Sequence, residues 1–104
     1  AVLTAASLSK IRIPIAVYVA QLDRFLVPRF HGEWVAAHIP GVELHRVPTA
    51  WHFAFMDPAS IPIASEDGDI SANPPGFDRK ALLGQLQREL PAFFDKALSC
   101  QGCR

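Results

Sequence analysis

Two side chains in this sequence have the types and the spacing for a proton-transfer pair. Asp23 stands three positions past the apolar run IPIAVYVA, residues 13–20, and His52 follows a second run, VELHRVP, residues 42–48, within the stretch VPTAWHFAFMDP. An aspartate that accepts the Nδ1 proton of an imidazole fixes its tautomer. It leaves Nε2 free as a general base and stabilises the imidazolium once that forms. Spacing alone leaves a plainer alternative open, in which Asp23 caps a turn and His52 is a satisfied, partly buried histidine.

Other chemistries find less support. His31 and His38 are seven residues apart, two helical turns, too far to share an ion directly, and neither an HExxH nor a DxDxDG pattern occurs. No metal is expected, and His31, His38 and His45 read as ordinary solvated or helix-face histidines. Cys100 and Cys103 form a lone CxxC in the terminal SCQGCR. A redox pair wants a helix start after a strand, and a zinc site wants two further ligands; neither context is present. The expectation is a frayed tail whose cysteines are incidental or form a local disulfide.

The elements that would position Asp23 and His52 can be read from the apolar pattern. The run at 13–20 suits a parallel strand buried on both faces. Residues 28–39, PRFHGEWVAAHI, place Phe30, Trp34 and Ala37 at helical spacing before a Pro-Gly stop, and 42–48 reads as a second strand. Strand, helix, strand with a crossover of this length makes the two strands parallel. In an open parallel sheet, sites assemble at the carboxyl ends of strands, which is where Asp23 and His52 fall.

From Asp57 to Phe77 the chain is rich in Pro, Ser, Asp and Gly, without apolar periodicity. So long an irregular stretch is expected to be a lid or binding loop, or an insertion without a role. Asp78 can cap the helix that follows, about 78–98. There Leu82, Leu86, Leu90, Phe93 and Ala97 recur at steps of four, four, three and four, with a kink or break at Pro91. The chain reads as one unit, 1–104, of class α/β. Two strands and two main helices would leave the apolar strand with an open edge, so further strands are expected from the rest of the same domain or another chain.

Composition narrows the partners. Ten Lys and Arg balance ten Asp and Glu among 104 residues, with no basic run to neutralise phosphates or anionic lipid. No segment approaches the ~20 apolar residues that span a bilayer. Nucleic acid and membrane are therefore not expected as partners. The opening AVLTAASLSK lacks the charged head and long apolar middle of a signal peptide, and a start at Ala1 suggests a processed chain or a piece of a longer one.

The order Asp, His, amphipathic C-terminal helix resembles the C-terminal portion of the α/β-hydrolase fold, whose chain order is Ser, Asp or Glu, His. SLSKIRIPIAVYVAQLDRFLVP is similar to the acid-bearing strand and loop of dienelactone hydrolase relatives, and IPGVELHRVPTAWHFAF to their final strand and histidine loop. HFAFMDP, a long insertion and then PPGFDRKALL resemble the predicted dienelactone hydrolases, related to bacterial platelet-activating-factor acetylhydrolase-like esterases. The resemblance covers residues 7–98.

It implies a serine-type carboxylic ester hydrolase that needs no cofactor, with Asp23 as triad acid, His52 as triad histidine and a small ester as substrate. Trp51 and Phe53 could line the substrate pocket, although Phe53 and Phe55 also suit the core. Trp51 stands where relatives usually have glycine. No GxSxG nucleophile elbow occurs: Ser7, Ser9, Ser60, Ser65, Ser71 and Ser99 all lack its flanking glycines. The serine would precede this segment, so the chain alone is not expected to be active. Two other functions compete: a noncatalytic binding or assembly module on the same scaffold, and a thiol redox protein acting through Cys100 and Cys103. The compartment is open; the resemblance leans toward an exported bacterial enzyme.

Overall fold

The structure, a computed structural model, describes residues 3–57, 61–66 and 68–99. The cysteines of the tail and residues 58–60 of the long loop lie outside the described residues. Ala16–Ala20 forms strand β1 and Glu43–Val47 forms strand β2, joined by a 3-10 turn, Pro28–Phe30, and a short helix; a four-residue helix α1, Ala5–Leu8, precedes them. The crossover helix is α2, Gly32–Ala37. The two strands pair in parallel, Ala16 opposite Glu43 through Ala20 opposite Val47. A two-residue hairpin, β3 Ala64–Ser65 with β4 Gly68–Asp69, interrupts the long loop, and helix α3, Arg79–Leu98, closes the order. The expected strand, helix, strand unit is thus present, and helices with a parallel two-strand sheet are compatible with class α/β.

Four local expectations need correction. β1 begins at Ala16 rather than residue 13, because Pro14 lacks the amide a ladder needs; Ile13 ahead of it is 69% exposed. Nor is β1 buried on both faces throughout: Ala16, Val17 and Tyr18 are half-buried, and only Val19 and Ala20 are buried. The helix expected over 28–39 is split at His31, whose backbone leaves the helical region at φ −121°, ψ −94°. It also turns a different face to the sheet. Phe30 and Ala37 are exposed, whereas Ala36 and Ile39 are buried. Gly32 explains the choice: a Cβ there would stand 2.7 Å from Val19 Cγ2, so the missing side chain lets α2 lie directly on β1 along 32, 36 and 39.

The sequence reading also missed α1. Thr4 Oγ1 accepts the Ser7 amide and Ser7 Oγ accepts the Thr4 amide, both at 3.1 Å, a reciprocal cap that seats Leu8 in the core. In α3 the Asp78 carboxylate accepts the Ala81 amide at 2.9 Å, as its position suggested. The helix then runs unbroken through Pro91 to Leu98. Proline removes one bond, but Gln87, four residues back, is exposed and its carbonyl can turn to water. Leu82 is buried and Leu86 packs on the same cluster, while Leu90 is 38% exposed; Glu89, one position back, turns inward instead.

Glu89 faces the sheet because Tyr18 of β1 donates its hydroxyl to Glu89 Oε2 at 2.7 Å. Burial, reinforced by Glu89 and then Glu43, pushes the Tyr18 phenol up to about 12, so it stays a donor. Its ring stacks on His45 of β2 at 4.5 Å between centroids.

The core is thin. Ala20, Ala50, Ala54 and Leu82 form its centre, with Val47, Phe55, Phe77 and Leu86 packed around them. Half of the residues are hydrophobic, yet Leu22, Phe25, Leu26, Val27 and Phe30 all lie between 40% and 60% exposed. The radius of gyration is 16.1 Å, against about 13 Å for a compact domain of this length. Among the described residues β1 pairs with β2 alone. Its other edge carries backbone groups without a strand partner.

Candidate active site

The carboxyl ends of β1 and β2 are tied together before either functional side chain is reached. Gln21 N–H donates to Val47 O and Leu22 N–H to Ala50 O, both at 3.0 Å, carrying the pairing two residues beyond the strands. Asp23 then folds back on its own turn. Its Oδ1 accepts the amides of Phe25 at 2.8 Å and Leu26 at 2.9 Å, an Asx-type arrangement that fixes the plane of the carboxylate. Oδ2 remains, and His52 Nδ1 lies 2.8 Å from it.

On the other side, β2 ends at Val47 and the chain reverses through Thr49, whose φ of 58° is in the left-handed region that β-branched residues rarely adopt. Ala50 and Ala54, both fully buried, anchor the two ends of the turn. Within it Ala54 N–H returns to Trp51 O and Met56 N–H to Phe53 O. His52 is left at the crest. The ring edges of Phe53, 4.8 Å away at 88°, and Phe25, 5.3 Å away at 80°, hold the imidazole from two sides.

Burial differs across the pair in a useful sense. The Asp23 side chain is 10% exposed and the His52 side chain 28%. Burial pushes the Asp23 carboxyl upward, but the Leu26 amide, the His52 ring and the Phe25 amide outweigh it and hold the group below the usual carboxylate range. A carboxylate can only accept, so His52 Nδ1 carries the proton of their shared bond. Nε2 has no hydrogen-bond partner among the described residues. With the ring neutral, the pair has a largely buried carboxylate behind and a free Nε2 lone pair in front, which is the arrangement a general base requires.

A cleft of about 240 Å³ opens beside the pair, lined by Tyr18, Asp23, Leu26, His31, His52 and Phe55 among others. Neither of the two residues expected to contact substrate lines this cleft: Phe53 lies against the imidazole, and Trp51 under the Arg24 guanidinium at 4.8 Å. The sequence reading did not single out Phe25, Leu26 or Tyr18 for the site; the run RFLVP directly after Asp23 is the signal that could have pointed to the first two. It also passed over Asn73, whose Oδ1 accepts the Trp51 amide at 3.0 Å. No spacing rule links positions 22 residues apart.

Of the remaining histidines, His31 lines the cleft with its Nδ1 on Val27 O at 3.0 Å, while His38 Nδ1 lies on Trp34 O at 2.7 Å and His45 on Glu43 at 3.3 Å. Among the described residues no three His, Cys, Asp or Glu side chains converge as metal ligands. No helix among the described residues is long and apolar enough to cross a membrane. The hydroxyls of Ser7, Ser9, Ser65, Ser71 and Ser99 are each bonded within their own turn or loop, and none lines the cleft. Comparison with protein-family models, with curated proteins and with solved structures gives no match.

Proposed function

We propose that this chain is the C-terminal portion of an α/β-hydrolase domain and supplies the acid and base of a serine-type carboxylic ester hydrolase of the dienelactone hydrolase-like kind. The observation that carries the reading is the 2.8 Å contact between His52 Nδ1 and an Asp23 carboxylate whose other oxygen is already locked by two amides. The serine and its oxyanion-hole amides come from a portion of the protein outside this chain. In the reaction His52 Nε2 takes the serine proton as Oγ attacks the ester carbonyl, then returns it to the leaving alcohol. Asp23 holds the ring in the right tautomer and stabilises the imidazolium. No cofactor enters these steps.

The sheet supports the same reading. Among the described residues β1 has a strand on one side only, and the exposed apolar residues Leu22, Phe25, Leu26, Val27 and Phe30 adjoin the turn of Asp23. Further parallel strands on that edge would cover them and bring the nucleophile to the carboxyl end of the sheet. The same open edge also favours a second reading, a noncatalytic module whose role is assembly. Ester turnover separates the two. In the protein that contains the nucleophile, His52→Ala is expected to lower kcat/KM by ~10²–10⁴-fold, measured with a short-chain aryl ester; undiminished turnover would sink the hydrolase reading.

A further inference from the structure

The histidine turn is clamped at both ends by residues that belong to the long loop and the start of α3. At its beginning, Trp51 N–H donates to Asn73 Oδ1 at 3.0 Å. At its far end, Arg79 Nη1 donates to Met56 O at 3.4 Å, while Nη2 of the same guanidinium donates to Ser71 O. Ser71 is itself fixed, 7% exposed, with its hydroxyl on Asp69 Oδ1 at 2.6 Å and its amide on the same oxygen at 3.0 Å. Asp69 also takes the Ile63 amide at 3.0 Å. The segment Asp69, Ser71, Asn73, Arg79 is a brace around residues 51–56, and the part of the loop that touches the site is fixed to it.

We infer that Asn73 is a positioning residue for His52: its carbonyl holds the Trp51 amide and thereby sets the imidazole against Asp23. Two observations distinguish this bond from ordinary loop packing. Thr49, two residues before Trp51, holds a left-handed φ of 58° that a β-branched residue keeps only when its surroundings impose it. After the Leu22 amide on Ala50 O, which comes from the Asp23 side, the Trp51 bond is the first restraint on this turn from the long loop. Further, Asn73 Nδ2 is buried without a partner among the described residues, so the amide leaves a donor unpaired while its oxygen is used. The acceptor is what the position requires.

This inference deepens the proposed function and rests on it for its catalytic consequence, but it can be read without substrate. The chain has four histidines, and ¹⁵N-histidine labelling of the full chain reports each ring's tautomer. In the native protein His52 should show the Nδ1–H form imposed by Asp23, with His31, His38 and His45 as internal references. Asn73→Ala should lose that form and move His52 toward the Nε2–H form that a free imidazole favours in water, with the other three rings unchanged. Asn73→Asp keeps an acceptor for Trp51 and should restore the signal. Ser71→Ala loosens the same loop without touching Trp51 and should leave His52 as it is.

An unchanged His52 in Asn73→Ala would overturn the inference. So would an equal change in Ser71→Ala, or a joint collapse of all four rings that Asn73→Asp fails to reverse. Any of these leaves the base assignment standing, because His52→Ala turnover tests that separately.

Discussion

The turn that presents Asp23 is held by bonds two and three residues long, from the Phe25 and Leu26 amides, whereas the turn that presents His52 depends on Asn73, Asp23 and Arg79, which lie 22, 29 and 23 residues from their partners. The first arrangement forms wherever the local chain folds. The second has short bonds of its own, Ala54 N–H to Trp51 O and Met56 N–H to Phe53 O, but its side-chain ties come from the long loop, the start of α3 and Asp23. A site joined from two such halves has a carboxylate set by its own turn and an imidazole set by longer-range contacts. The strength of the Asp23 contact with His52 then reports whether the distant brace is assembled.

Removing Asp23 attacks both halves at once and should give the larger effect. Asp23→Ala takes away the acceptor of two amides and leaves His52 Nδ1 without its carboxylate. The expected loss of stability is about 2–4 kcal/mol, from one cap-like turn and one unpaired, partly buried donor, read as a lower midpoint in urea unfolding. The pH dependence has a definite sign. Because the native Asp23 carboxyl is held below its ordinary value of 3.8, its contribution is complete above that value. It disappears as pH falls through the lower native one. Asp23→Ala should remove this part of the acid limb and leave the shares of Asp69 and Glu89, both also lowered, by Ser71 and Tyr18 respectively.

How much of this was legible in the sequence follows the same division between short and long range. Asp23 as a turn-capping acceptor, the alternative left open for it, Asp78 as a helix cap and the parallel pairing of the strands read at 13–20 and 42–48 rest on local pattern and on the length of the crossover; the structure has the two caps, and the pairing over 16–20 and 43–47. The juxtaposition of Asp23 and His52 could be expected as well, because parallel neighbours bring the loops after their carboxyl ends together. The buried face of α2 could not be read from the spacing of Phe30, Trp34 and Ala37. It is set by the room Gly32 leaves above Val19, a contact between two elements. Asn73 was invisible for the same reason: the composition of 57–77 says irregular, and nothing in it says which amide reaches Trp51. The stretch read as a lid or binding loop, or as an insertion without a role, reaches the histidine turn in its second half, through Asn73.

A smaller change sharpens the comparison at the histidine turn alone. Thr49 carries the left-handed φ of 58°, which costs an L-residue ~1–2 kcal/mol. Thr49→Gly should relieve most of that while giving back some unfolded-state entropy. A net stabilisation of about 0.5 kcal/mol is expected in urea unfolding, with the Asp23 turn untouched. A loss of 1 kcal/mol or more (~1, on the same scale) would mean that the strain is matched by contacts of the Thr49 side chain.

The central claim, that His52 backed by Asp23 is the base for a serine supplied by the rest of the domain, is tested most directly by fluorophosphonate labelling of the full-length protein that carries this chain. The account predicts one labelled serine upstream of Ala1, with labelling lost in His52→Ala and strongly slowed in Asp23→Ala. A native protein that does not react, or one that labels equally well without His52, would contradict it.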